Sequence, residues 1–290
     1  MTATPQLVGD FNLVWGESLR WDDRRQRLYF VDCGTHQLHW LDHGAPALQS
    51  MKLPSLPTGV VLTEDGSLVV ALDEGLYVLD PDSEAIGLLA AYPAGIGGRA
   101  NDATADLDGN IVTGTLNAPG ADGSYWWFSA AAGWRRLANG IGNANGPAML
   151  DTDGTSVLVF ADTTAATIYA FDYDGPAGTA TNRRLFADTS EAGGVPDGAC
   201  VDRDGGVWSC LLKAGVLARY TFDGLTDRID ATVDLPSDVT FGGSELDRLF
   251  FVSISVTLES YEPITDGRAG QLMVIDDLGY RGLPERRARL

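Results

Sequence analysis

Four polar side chains with oxygen atoms precede runs of apolar residues that are typical of β-strands. They are Glu17, Asn101, Asn145 and Asp197, and two more runs carry Thr58 and either Asp238 or Ser237 at the matching place. If these places converge, a set without thiolate or imidazole favours a hard cation such as Ca²⁺, Mg²⁺ or Mn²⁺ over a structural zinc ion. The alternative is local, since Asp and Asn often hydrogen-bond their own backbone at turns.

The elements that would position these residues repeat along the chain. Each polar residue is followed by a strand pattern, an acidic turn and a second strand, and the turn residues recur about 42 to 51 residues apart: Asp23, Asp65, Asp108, Asp153, Asp204 and Asp247. This period is in the range of four-stranded propeller blades. The sequence therefore predicts an all-β fold, a six-bladed β-propeller with the first strand of each blade lining a central channel. Chance alternation is the competing explanation.

The stretch from Gly193 to Leu211 shows the pattern in full. It predicts a strand over Ala199–Asp202, a hairpin turn at 204–206 and a returning strand over Val207–Leu211. Residues 1–12 are expected to lead into the ring, with a strand that closes it against the last blade. We expect a single domain over residues 1–290.

Composition narrows the possible functions. The chain has 290 residues, 44% of them hydrophobic, and a formal net charge of −20. This acidic balance argues against nucleic-acid binding, which needs clustered Lys and Arg. The first residues resemble no export signal and no run is long enough to span a membrane, so we expect a cytoplasmic protein. The three cysteines predict reduced thiols, and the basic stretch 281–289 predicts a solvated terminus.

Several short motifs in this order resemble the senescence-marker-protein-30, gluconolactonase and luciferin-regenerating-enzyme family. The resemblance covers nearly the whole chain and is carried by Gly16-Glu17 with Trp21, Arg99-x-Asn101-Asp102, Asp108-Gly109-Asn110, Asn145-Gly146-Pro147, Pro196-Asp197-Gly198 and Phe241-Gly242-Gly243. It implies a six-bladed propeller with one divalent cation held by Glu17, Asn145 and Asp197. Ca²⁺ is expected first, with Mg²⁺, Mn²⁺, Zn²⁺ and Fe²⁺ as alternatives. Arg99 and Asn101 would contact the substrate.

The activity that the resemblance implies is hydrolysis of a sugar-acid lactone, a small-molecule substrate. The cation would stabilise the oxyanion formed when water attacks the carbonyl, and Asp197 would be both a ligand and the group that takes the proton. Two departures from the family pattern affect substrate choice. Ser18-Leu19-Arg20 stands where the family has Gly-Pro before the tryptophan, so that Arg20 either adds a charge near the site or points outward. Ala103 replaces a glycine after Asn101-Asp102.

Two other functions fit the same residues. One is hydrolysis of phosphotriesters or aryl esters, with Asn101 as a fourth ligand, and the other is a non-catalytic propeller that binds calcium. The loop Leu116–Tyr125 is expected to shape a site on one face. The oligomeric state is left open by the sequence.

Overall fold

Each repeated block folds into one four-stranded antiparallel sheet. The structure is a computed structural model and describes residues 4–290 apart from 46, 97, 117–121, 153 and 266. One short strand, β1 (Gln6–Leu7), precedes the first block. The strands of blades one to three are β2 (Gly16–Asp22), β3 (Arg27–Asp32), β4 (Gln37–Asp42), β5 (Gln49–Lys52), β6 (Gly59–Leu62), β7 (Leu68–Leu72), β8 (Gly75–Leu79), β9 (Ile86–Ala91), β10 (Ala100–Ala105), β11 (Ile111–Thr115), β12 (Gly123–Ser129) and β13 (Gly133–Ile141).

The second half of the chain repeats this arrangement. A 3₁₀ turn over Thr189–Ala192 separates blades four and five. The strands of blades four to six are β14 (Ala144–Thr152), β15 (Thr155–Asp162), β16 (Thr167–Asp174), β17 (Thr179–Asp188), β18 (Val195–Val201), β19 (Val207–Leu212), β20 (Val216–Thr221), β21 (Gly224–Asp230), β22 (Pro236–Gly242), β23 (Arg248–Ser253) and β24 (Met273–Ile275).

The six sheets form a closed ring, which confirms the predicted six-bladed propeller. The inner strands β2, β6, β10, β14, β18 and β22 each contact the next, and β22 contacts β2. The ring is closed by β1, which pairs with β24 in the last blade, as predicted for the first residues. All inner strands run in the same sense, so their first residues meet at one end of the channel, called here the upper end.

Apolar side chains fill the space between neighbouring blades. Between blades three and four, Tyr125 and Trp127 pack with Phe160 and Phe171, and the ring centroids of Tyr125 and Phe160 are 3.9 Å apart. The aromatic run at 125–128 therefore serves the core. Such packing holds the inner strands rigidly around the channel, since interiors at crystal-like density tolerate little movement.

Some sequence predictions need correction. The inner strand of blade five begins at Val195, not at Ala199. The basic tail is not a solvated terminus, because Arg287 is buried against Asp22 and Asp23, at 2.7 Å from each. It crosses the lower end of the channel, where Ala288 bridges to Thr63. Asp153 and the middle of the Leu116–Tyr125 loop lie outside the described residues.

The cysteines are reduced, as predicted. Cys33, Cys200 and Cys210 are all free thiols. No helix among the described residues has the length and apolar character required to traverse a lipid bilayer.

Candidate functional site

The upper end of the channel is shaped by β-bulges in the inner strands. Five of these strands shift register close to their first residues, at Glu17/Arg20, Asn101/Ala103, Asn145/Ala148, Pro196/Ala199 and Pro236/Asp238. A bulge leaves extra residues unpaired and turns their side chains out of the regular alternation. Asp197 lies within such a bulge, whereas Glu17, Asn101 and Asn145 are the paired residues immediately before theirs.

Asp197 and Glu17 are the two acids at this end. Asp197 lies in the bulge of β18, is 4% exposed and accepts no hydrogen bond from any residue that the structure describes. Glu17 is half-buried and accepts one, from the indole Nε1 of Trp15 to Oε1 at 2.9 Å. Burial and the charge of Asp197 raise the pKa of Glu17, and burial and the charge of Asp238 raise that of Asp197. Among the residues that the structure describes, no Lys, Arg or His forms an ion pair with either of these two neighbouring acids.

Asn145 completes the predicted ligand set and is held by its neighbours. Its Nδ2 donates to Thr163 Oγ1 at 2.8 Å, and that hydroxyl donates to the carbonyl oxygen of Pro196 at 2.7 Å. Asn145 is therefore tied to the residue immediately before Asp197. Gly146 allows this approach, since it has φ +52° and a Cβ there would lie 2.6 Å from the Asp197 carbonyl oxygen.

The two predicted substrate-binding residues form a chain with Asn145. Arg99 Nη1 donates to Asn101 Oδ1 at 3.2 Å, and Asn101 Nδ2 donates to Asn145 Oδ1 at 2.5 Å. Asn101 also donates to the carbonyl oxygen of Ala144 at 3.1 Å. The structure thus places Arg99 and Asn101 beside the candidate ligands, with Asn101 engaged in orienting the Asn145 amide.

The donor set at this end fits a hard divalent cation. It offers two carboxylates and one amide oxygen, which are the groups that Ca²⁺ and Mg²⁺ bind. A cation would relieve the repulsion that raises the pKa of both acids. In the described part of the chain no three His, Cys, Asp or Glu side chains are grouped so as to hold a metal ion. The predicted set has two such residues, and its third ligand is an amide.

The sequence matches one known protein family over most of its length. The model of the SMP-30/gluconolactonase/LRE-like region matches residues 15–255. The chain belongs to this family. Members similar to it include a pentonolactonase of Haloferax volcanii, 31% identical over 86% of this chain and 84% of the relative. A 6-deoxy-6-sulfogluconolactonase of Pseudomonas putida is 32% identical over 92% of both chains.

Solved structures of the family share the fold. A calcium-binding regucalcin of Agrobacterium tumefaciens superposes with a TM-score of 0.90 and 21% sequence identity, over 100% of this chain and 99% of that one. At this identity the likeness concerns the architecture alone. This member of the SMP-30/gluconolactonase/LRE-like family therefore shares the propeller fold of that structure.

Arg20, where this chain departs from the family pattern, points inward. It is 5% exposed, and its guanidinium lies 3.1 Å from Asp102 Oδ1 and 3.5 Å from Asp238 Oδ2. Asp102 also accepts from Gly146 N at 3.1 Å, and Asp238 from Leu19 N at 2.6 Å. The side chains of Arg20, Asp102 and Asp238, called here the Arg20 layer, lie directly below the candidate ligands. In this layer the two carboxylates are paired with the Arg20 guanidinium, whereas Glu17 and Asp197 above them have no such partner among the described residues.

The structure also settles which residue of blade six matches Asp197. Pro236 and Pro196 occupy the same register against the second strand of their blades, so Ser237 is the counterpart of Asp197. The hydroxyl of Ser237 donates to the Gly16 carbonyl oxygen at 2.5 Å. Asp238 instead packs on Gly198, where a Cβ would lie 2.1 Å from its Oδ1. Thr58 is buried and donates from Oγ1 to the carbonyl oxygen of Ala71 at 3.5 Å.

Two residues of the site were missed by sequence reasoning. Trp15 could have been found, because it stands two positions before Glu17 and alternate residues of an extended chain share a face. Thr163 carries no sequence signal, since it follows the second strand of blade four and meets Asn145 only in the folded protein.

A cavity of about 360 Å³ at the lower end is a poorer candidate. Arg20 lines this cavity, but its guanidinium is paired with Asp102 and Asp238. Glu285, also in its wall, accepts a hydrogen bond from Thr240 at 3.1 Å. The carboxylate of Glu285 and two nitrogens of the Arg20 guanidinium thus have partners within the protein, unlike the carboxylate of Asp197.

Proposed function

We propose that this protein is a divalent-cation-dependent lactonase that opens the ring of a sugar-acid lactone. The observation that carries the proposal is the pair of acids Glu17 and Asp197, which share one end of the channel with Asn145 and have no ion-pair partner in the described part of the chain. The substrate class is supported by the relatives named as pentonolactonase and sulfogluconolactonase. Ca²⁺ is the first candidate for the cation, because the Agrobacterium relative is described as calcium-binding.

Each residue has a distinct role in this proposal. Glu17, Asn145 and Asp197 would hold the cation, which supplies a Lewis acid that polarises the lactone carbonyl. Arg99 presents a half-buried guanidinium with one Nη1 bond to Asn101 and one to the Ala100 carbonyl oxygen, the latter at 3.1 Å. Its other N–H groups donate to no residue that the structure describes, and they would bind substrate oxygens, which suit a planar fork. Asn101 fixes the Asn145 amide and offers a second contact to the substrate.

Asp197 is the proposed proton acceptor. Water adds to the carbonyl carbon and gives a proton to the Asp197 carboxylate. The ring C–O bond then breaks, and the ring oxygen takes this proton from Asp197 and becomes a hydroxyl group, which restores the carboxylate. The product is the open-chain hydroxy acid, so lactone and water account for all its atoms. Burial of Asp197 keeps bulk water from competing for this proton.

The test is lactone hydrolysis by the chelated and the reloaded protein. We expect a pH-indicator assay with pentono- and hexonolactones to show turnover that a chelator abolishes and Ca²⁺, Mg²⁺ or Mn²⁺ restores. Asp197→Asn should lose activity, whereas Asp204→Asn, an exposed turn acid of the same blade, should retain it. Full turnover after chelation would contradict the cation requirement. Hydrolysis of a phosphotriester in preference to every lactone would contradict the substrate class.

A further inference from the structure

An aromatic pair stands at the upper end of the channel across from Arg99. The ring centroids of Trp15 and Tyr261 are 5.9 Å apart with an interplanar angle of 39°. Trp15 immediately precedes blade one and Tyr261 belongs to blade six, whereas Arg99 leads into blade three, on the opposite side of the ring. Trp15 is half-buried, and Tyr261 is 65% exposed although it is a large aromatic residue.

The segment that carries Tyr261 is an ordered hairpin, called here the 255–264 arm. Its base is bonded to the chain next to Trp15, since Ser255 N donates to the Val14 carbonyl oxygen at 3.0 Å. Val256 bridges to Pro263 across the arm, and Thr257 N donates to the Glu262 carbonyl oxygen at 2.8 Å. The arm therefore presents Tyr261 beside Trp15 as part of the fold.

Trp15 is also linked to the candidate ligand Glu17. Its indole N–H donates to Oε1 at 2.9 Å, and Oε2 accepts no hydrogen bond from the described residues. One carboxylate oxygen is thus fixed by the indole and the other is left for a ligand. Groups that orient a metal ligand in this way typically change metal affinity 10- to 100-fold when removed.

We propose that Trp15 and Tyr261 form the apolar wall of the substrate site, and that Trp15 is in addition a positioning residue for Glu17. The proposal rests on the lactonase function proposed above and adds how the sugar ring is recognised. A sugar lactone has polar edges and a ring face made of C–H groups. Arg99 and Asn101 suit its oxygens from one side of the channel, and aromatic rings on the other side suit its C–H face, as in sites that combine apolar walls with few polar groups.

Three variants separate the two roles. Trp15→Phe keeps an aromatic face and removes the N–H, so we expect Ca²⁺ affinity by titration calorimetry to fall about 10- to 100-fold. Tyr261→Ala removes half of the wall and leaves Glu17 untouched. Its KM for a pentonolactone should rise roughly three- to tenfold with kcat and Ca²⁺ affinity unchanged, the pattern of a lost binding contact. Tyr261→Phe is the matched control and should restore KM.

The outcomes decide each part separately. Unchanged Ca²⁺ affinity in a folded Trp15→Phe variant would overturn the positioning role. A Tyr261→Ala variant with the wild-type KM, or one that Tyr261→Phe does not rescue, would overturn the wall. If the wild-type protein hydrolyses no lactone, both the proposed function and the proposed apolar wall are wrong. The Ca²⁺ titration of Trp15→Phe still tests the positioning role in that case.

Discussion

Asp197 and Asp202 are buried acids only five residues apart on the same blade, and their surroundings are opposite. Asp202 is 1% exposed and accepts hydrogen bonds from Gly206 N at 2.8 Å, Trp208 Nε1 at 2.9 Å and Arg219 Nε at 2.6 Å. Asp197 is nearly as buried and accepts none from the described residues. Burial alone therefore does not distinguish a structural acid from a candidate ligand.

The two acids differ in whether the protein itself supplies hydrogen-bond donors to the carboxylate. A buried carboxylate that is fully hydrogen-bonded and paired stabilises the fold around it, and Asp202 joins the turn and β20 of blade five in this way. A buried carboxylate without donors costs free energy unless something from outside satisfies it. Asp197 is of this second kind, and Glu17 has one oxygen, Oε2, without a donor among the described residues. This is why the upper end of the channel, and not the well-bonded turns, is the candidate site.

The largest expected effect is on activity at Asp197. In Asp197→Asn we expect kcat/KM for a lactone to fall on the order of a thousandfold, about 4 kcal/mol of transition-state stabilisation. The Tm of the cation-free protein should rise, because an acid whose pKa is raised by burial destabilises the folded state above its ordinary pKa. Steady-state kinetics and calorimetry check this. A lower Tm without a loss of kcat/KM would make Asp197 structural, like Asp202.

The second effect is on stability at Asp202. Asp202→Ala leaves Arg219 and the Trp208 indole buried without their acceptor, and we expect the free energy of unfolding to drop by about 3 kcal/mol. Denaturant unfolding measures it, with Asp204→Ala as the matched surface control. If Asp202→Ala and Asp197→Ala change stability alike, the contrast between the two acids is wrong.

The third effect concerns the layer held by Arg20. Arg20→Lys keeps the positive charge but cannot reach Asp102 and Asp238 with a planar fork, so the free energy of unfolding should fall by about 2 kcal/mol. Because this layer lies below the ligands, the number of Ca²⁺ ions bound should stay the same. If Arg20→Lys has the wild-type free energy of unfolding in a denaturant titration, the simultaneous contact of the guanidinium with Asp102 and Asp238 does not stabilise the fold.

The smallest effect is a pH dependence of cation binding. The pKa values of Glu17 and Asp197 are raised in the cation-free protein, so both acids retain protons to higher pH than exposed ones. Binding must release these protons, and Ca²⁺ affinity should fall by up to about tenfold per pH unit, for each proton released, as the pH is lowered through the raised pKa values. Titration calorimetry in buffers of different ionisation enthalpy counts the protons. A Ca²⁺ affinity that stays constant from pH 8 to pH 5 would contradict the predicted release of protons on binding.

The architecture could be predicted from the sequence because its signal is local and periodic. The spacing of the acidic turns gave the number of blades, and the first residues closed the ring as expected. Prediction from the sequence was less exact for individual side chains, where a bulge or a distant contact decides the outcome. Asp238 and Ser237 both follow a proline, and only the register of β22 shows which one matches Asp197. The side-chain direction of Arg20 follows from acids more than 80 residues away in the chain, and the burial of Arg287 follows from Asp22 at the other end.

The most direct test is a crystal structure of the protein grown with Mn²⁺, with the ion located by its anomalous scattering. We expect one peak at the upper end of the channel, bonded to oxygen atoms of Glu17, Asn145 and Asp197. A peak at Asp202 or in the Arg20 layer, or an upper end that contains only water at saturating Mn²⁺, would contradict it.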